Sequence, residues 1–140
     1  MRAIGLDVGT KTIGVALSDE LFITAQALVT LKRDGMKRDL AELERLAKEH
    51  EVGQWVVGLP LNMNGTEGDR ARDSRKLGDA LKDVTRLPVD YWDERLSTVE
   101  AERVLLQADV SRKKRKLVID KLAAAVILQG WLDARPKETE

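Results

Sequence analysis

The chain has 140 residues, 43% hydrophobic and 34% charged, which suits one globular domain with a single core and not a disordered chain. With no cysteine and one histidine, His50, a disulfide framework, a thiolate zinc site, a cysteine nucleophile and a His-rich metal site are all excluded, so a catalytic metal must rest on carboxylates, which favours Mg²⁺ or Mn²⁺. Basic and acidic residues both number 24, so overall charge gives no support for nucleic-acid binding, and any such case depends on where the charges lie.

Residues 2–8 alternate, with Ile4, Leu6 and Val8 on one face and Ala3, Gly5 and Asp7 on the other, as in a strand. Gly9-Thr10-Lys11 forms a turn into a second strand over 12–18, where Ile13, Val15 and Leu17 oppose Thr12, Gly14, Ala16 and Ser18. The hairpin thus has one bulky face and one face of small residues. A third strand is expected over about 22–31, after the turn at Ser18-Asp19-Glu20. Leu40, Leu43, Leu46 and Ala47 give residues 36–50 an amphipathic helical pattern. Residues 53–59 form a short apolar strand stopped by Pro60, and Leu61 to Gly65 a polar loop. Thr66 and Asp69 resemble a capping box opening a helix over 67–82. A strand follows over 86–92. Ser97 and Glu100 make a second capping box, predicting a helix over about 98–108. A basic stretch then leads into a last helix over about 117–133.

A meander followed by strand–helix–strand units predicts an α/β fold, a mixed five-stranded sheet flanked by helices on both faces, in one domain over 1–140. The parallel strands should be 2–8, 53–59 and 86–92. Sites in such sheets form at the carboxyl ends of the parallel strands. Asp7, the loop Asn62-Met63-Asn64-Gly65 and Asp93-Glu94-Arg95 all fall there. The N-terminal residues lead directly into a strand and read as neither signal nor transit peptide, and no apolar stretch approaches a membrane span. The expectation is a soluble, cytoplasmic protein with no membrane partner.

Asp7 lies within an apolar strand, where an ionised carboxylate is costly unless paired or bound to metal. The alternative is a strand-end Asp bonded within the turn at Gly9 and Thr10. Asp120 shares a helical stripe with Leu117, Ala124, Ile127 and Trp131 on a helix that is apolar nearly all round from 122 onward. The helix dipole would explain an acid near the helix start, but not its inward face. The small residues Ala3, Gly5, Gly14 and Ala16 match Ala123-Ala124-Ala125, and close packing of the two would bring Asp120 towards Asp7. Asp93 and Glu94 point opposite ways in an extended segment, so one of them should face the site. Clustered carboxylates raise each other's pKa. A divalent cation relieves that conflict and can activate water against a phosphodiester.

The substrate signal is the run Arg112-Lys113-Lys114-Arg115-Lys116, read as a basic loop attractive to phosphates. Arg95 is a second candidate phosphate contact, its guanidinium matching phosphate geometry. The alternatives are a solvated basic loop for the run and a neighbouring acid as the partner of Arg95.

Four segments in order, Gly5-Leu6-Asp7-Val8-Gly9-Thr10-Lys11, Val57-Gly58-Leu59-Pro60, Asp93-Glu94-Arg95-Leu96-Ser97-Thr98 and Ile119-Asp120-Lys121-Leu122-Ala123-Ala124, resemble the YqgF/RuvX family over almost the whole chain. The resemblance implies an RNase H-like fold and a Holliday-junction-resolvase-like nuclease, hydrolysing phosphodiester bonds in pre-16S ribosomal RNA processing or in branched DNA. It implies a divalent metal and carries the catalytic and metal-site roles onto Asp7, Glu94 and Asp120.

Two rival functions are weighed. Asp7-Val8-Gly9-Thr10 also looks like the phosphate-binding turn of sugar kinases and actin-like proteins, but those clamp ATP between two domains and 140 residues supply one. A non-catalytic nucleic-acid-binding module would not need three acids in these positions. Symmetric cutting of two strands would call for a two-fold homodimer.

Overall fold

The computed structural model describes residues 1–96 and 112–136, the second segment with side chains from Leu122 onward. The expected capping box at Ser97 and Glu100 and the helix over 98–108 lie outside the described residues.

Strands β1 (Arg2–Val8), β2 (Thr12–Ser18) and β3 (Ala25–Lys32) form the expected antiparallel meander. Helix α1 (Met36–Glu49), strand β4 (Val52–Leu59), helix α2 (Asp69–Thr85) and strand β5 (Val89–Asp93) follow. A 3-10 turn covers Glu94–Leu96, and helix α3 spans Arg112–Ala134. The sheet order is β3-β2-β1-β4-β5, with β1, β4 and β5 parallel.

Alternation within each strand sorts the core into two layers. Ile4, Leu6 and Val8 join Ile13, Val15, Trp55 and Val57 beneath α1 and α2, which contribute Leu43, Leu46, Leu77 and Leu81. On the other face Ala3, Ala16 and Val56 meet Ala124, Ile127, Leu128 and Leu132 of α3. The mixed sheet with helices on both faces is the architecture expected from the element order.

Several boundaries differ from expectation. The third strand starts at Ala25 because Asp19 Oδ1 accepts from the Ile23 and Thr24 amides, and Phe22 takes a positive φ of 59°. This loop holds residues 19–24 out of the sheet. Helix α2 opens at Asp69 behind Gly68, with no side-chain cap. The Thr66 hydroxyl is engaged by Asn64 Oδ1 and Asn62 Nδ2, so the expected capping box does not form. Arg86 ends α2 with a left-handed φ of 62°, which delays β5 to Val89. The largest correction is in α3, which begins at Arg112 and makes Arg112–Lys116 helical instead of a loop. Lys and Arg are good helix formers, and each residue added to an existing helix gains a backbone hydrogen bond.

The direction of α3 follows from its contacts. Gln129 Oε1 accepts from the Ala25 amide at 2.9 Å, and Ala25 pairs with Ser18. The Ser18 hydroxyl in turn accepts from the Ala3 amide. Ala124 and Leu128 lie over Gly5. α3 therefore runs antiparallel to β1, and its N-terminal half extends towards the carboxyl edge of the parallel strands. Among the described residues no helix is long and apolar enough to cross a membrane.

Candidate active site

Asp7 is the penultimate residue of β1, half-buried, on the sheet face that α3 covers. Its partner on β2 is Gly14. On the other side β1 and β4 are in register up to Leu6 and Val57, so Gly58 comes next along β4. Glycine on both flanks leaves the space beside Asp7 free for other side chains.

Glu94 fills part of that space. β5 ends at Asp93, and the 3-10 turn starting at Glu94 directs this side chain back across β4. A Cβ on Gly58 would lie 3.1 Å from both Cγ and Oε1 of Glu94. The Glu94 carboxyl reaches Asp7, with which it shares a hydrogen bond. Burial pushes the Glu94 carboxyl up to about 8, aided by the Asp7 charge and their hydrogen bond, with a smaller push from Asp93 and opposition from the positive charge of Arg70. Two carboxyls in contact hold a proton between them when nothing else neutralises them.

Asp93 faces elsewhere. Its carboxylate takes the Arg95 guanidinium in a fork, with Nε to Oδ1 at 3.0 Å and Nη2 to Oδ2 at 2.7 Å. The side-chain hydrogen bond from Arg95 holds the Asp93 carboxyl below its usual range. Of the two adjacent acids, Glu94 is therefore the one beside Asp7. Arg95, expected as a phosphate contact, is tied to Asp93 and also donates from Nη1 to the Met63 carbonyl at 3.3 Å. This bond links it to the loop after β4.

Asp120 lies in α3, one turn before Ala124, in the half of the helix that extends towards the carboxyl edge. It is more than two turns from the start of α3 at Arg112, so it is not a first-turn acid stabilised by the helix dipole. Its side chain, and those of Arg112, Lys113, Lys114, Arg115 and Lys116, lie outside what is described. Among the described residues no third acid joins Asp7 and Glu94.

Two arginines at this edge escape the sequence reading. Arg33 donates from Nη1 to the Gly9 carbonyl at 3.0 Å and to Asp73 at 2.7 Å, and from Nε to Asp39 at 3.3 Å. It binds the turn next to Asp7 to both α1 and α2. The available signal was Asp39, a charged residue in line with Leu43 and Leu46 on the apolar stripe of α1. Arg70, in the first turn of α2, is exposed, and nothing in the periodicity singles it out.

The architecture is the RNase H-like fold. It is similar to RuvC of T. thermophilus in complex with a Holliday junction, with a TM-score of 0.57 and 14% identity over 96% of this chain and 94% of that one. The fowlpox virus resolvase in complex with Holliday junction DNA also gives a TM-score of 0.57, at 12% identity over 96% of this chain and 98% of that one. The chain belongs to the RuvX family of Holliday junction resolvases, whose family model matches residues 1–134. A relative from Symbiobacterium thermophilum is 62% identical over 96% of this chain and 94% of its own length, and carries the provisional name of pre-16S rRNA nuclease. A Myxococcus xanthus relative with the same provisional name is 59% identical over 100% of this chain and 93% of its own. The chain is accordingly a nuclease, a hydrolase acting on nucleic acid.

Proposed function

We propose that this nuclease depends on a divalent metal, Mg²⁺ or Mn²⁺, held by Asp7, Glu94 and Asp120, and that these three residues are catalytic. The observation that carries the reading is the contact between Glu94 and Asp7 over the bare backbone of Gly58. An oxygen-only donor set that must otherwise retain a proton fits a hard divalent cation. When bound, such an ion supplies Lewis-acid polarisation of a phosphoryl oxygen and a nucleophilic water at neutral pH. The chain's own contribution is placement. The fork between Asp93 and Arg95 keeps Asp93 out of the pair, and Arg33 fixes the turn after Asp7. The course of α3, with Ala124 and Leu128 on Gly5, supports Asp120 as the third acid. Arg112 to Lys116, four to eight residues before Asp120 on α3, supply phosphate contacts.

The substrate is structured nucleic acid, the precursor of 16S ribosomal RNA or a branched DNA, as the names of the relatives and of the family suggest. The protein acts in the cytoplasm, and a two-fold homodimer would serve paired cuts. The test is cleavage of a four-way DNA junction, single-stranded DNA, single-stranded RNA and a structured ribosomal RNA precursor, with Mg²⁺ or Mn²⁺ and with chelator. Metal-dependent cutting that Asp7→Asn and Asp120→Asn both abolish is expected. Near-normal activity in either variant would remove that residue from the site.

A further inference from the structure

We infer that Met63 is an apolar wedge for the bound nucleic acid, its side chain seated against an unstacked base at the carboxyl edge of the sheet. The role rests on the pair of Asp7 and Glu94 being the catalytic centre. At 98% exposure Met63 is the most exposed large apolar side chain among the described residues. Leu21 and Ile23 are exposed too, but they lie in the β2–β3 loop, beyond the end of β2 that pairs with the start of β1. That is the opposite edge of the sheet. Met63 belongs to the loop after β4, and two contacts join this loop to the pair. β4 carries Gly58, where a Cβ would lie 3.1 Å from Oε1 of Glu94. The Met63 carbonyl accepts from Arg95 Nη1 at 3.3 Å, and Arg95 follows Glu94 in the 3-10 turn.

The turn around Met63 is closed by its own hydrogen bonds. The Gly65 amide donates to the Asn62 carbonyl at 2.8 Å, and the Asn62 amide to the Thr66 carbonyl at 2.9 Å. Gly65 takes a positive φ of 85°, which glycine adopts without strain. Met63 and Asn64 are therefore the two central residues, at the tip. Asn64 Oδ1 accepts from the Thr66 amide at 3.1 Å and from its hydroxyl, and Asn62 Nδ2 donates to that hydroxyl at 3.0 Å. The Arg95 guanidinium, gripped by Asp93, lies 3.7 Å from the Cβ position of Gly65 and braces the turn. Every polar side chain of the tip thus serves the turn, and the one apolar side chain points away from it into solvent. Exposed at 98%, that side chain adds almost nothing to the stability of the fold. The turn fixes its backbone before substrate arrives, so little ordering remains when a base meets it. An unbranched thioether can enter a base step as a wedge and makes favourable sulfur–aromatic contacts. A base step opened in this way kinks the strand and presents the adjoining phosphodiester to the edge.

The test is fluorescence titration in chelator with two probes, a four-way DNA junction carrying 2-aminopurine at its branch point and a single-stranded RNA carrying it centrally. This base analogue brightens when it leaves its stack. Wild type, Met63→Ala, Met63→Leu and Leu21→Ala are compared at several salt concentrations. On at least one probe, wild type should raise the emission and Met63→Ala should not. Met63→Ala should also bind about three- to tenfold more weakly, the size of one such contact. Its salt slope should be unchanged, because no phosphate contact is lost. Met63→Leu should keep most of both signals, and Leu21→Ala should match wild type. The melting midpoint of Met63→Ala should equal that of wild type. No rise with wild type on either probe overturns the inference, as does an equal rise with Met63→Ala or an equal loss in Leu21→Ala. Turnover of Asp7→Asn with Mg²⁺ or Mn²⁺ tests the catalytic centre separately. Activity retained there removes the pair from catalysis, while the emission in chelator still decides whether Met63 meets a base.

Discussion

A Cβ placed on Gly5 would lie 2.6 Å from the Cβ of Leu128 and 3.0 Å from the Ala124 carbonyl oxygen, so α3 rests directly on the backbone of β1. The clash is with backbone-proximal atoms, which trimming Leu128 to Ala would not remove. Gly5→Ala should therefore push α3 off the sheet and cost about 1–3 kcal/mol, as overpacking of a close contact does. Urea denaturation measures this, and an unchanged midpoint would mean that the helix yields freely. Cleavage should fall more than stability alone explains, because the turn holding Asp120 moves with α3.

Arg33 should act on both stability and activity. Its side chain is 15% exposed, and that of its partner Asp39 is 4% exposed. Arg33→Met leaves Asp39 buried with only the Asp34 amide to satisfy it, at a cost of about 3 kcal/mol. Asp73 is 38% exposed and should contribute little. Adding Asp39→Asn should recover part of the stability but none of the activity tied to the Gly9 carbonyl. Thermal melts and turnover of the single and double variants test this, and full recovery of activity in the double variant would show that Arg33 does not position the turn.

Without metal, stability should fall as pH rises through the neutral range. Glu94 keeps its proton in the folded protein up to about 8, whereas an ordinary glutamate loses it near 4.5. Between those values the folded state binds a proton that the unfolded state does not, so stability drops across that window and levels off above it. Glu94→Gln should flatten this component, and added Mg²⁺ should stabilise the wild type most at the alkaline end. Denaturation of both proteins in chelator at several pH values would show it. Parallel pH profiles for the two would refute it.

The basic run should govern affinity more than chemistry. Replacing Lys113, Lys114 and Arg115 together by Ala should weaken binding to all sequences and flatten the salt slope by up to about three contacts' worth. Single-turnover rates at saturating substrate should change much less, since lost uniform binding raises KM and leaves kcat alone. A collapsed single-turnover rate with unchanged affinity would place the run in the transition state.

From sequence alone, alternation in residues 2–8 and 12–18 determined both faces of the hairpin, because strand periodicity leaves each residue one choice of side. The small residues Gly5 and Ala124 likewise signal a close helix–sheet contact. Choosing between Asp93 and Glu94 needed the 3-10 turn after β5, since two adjacent acids at a strand end are equivalent until the backbone changes direction. The commitment of Arg95 to Asp93 also belongs to the tertiary structure. A guanidinium is charged in every context, and only the acids that folding brings within reach decide whether it is already spent.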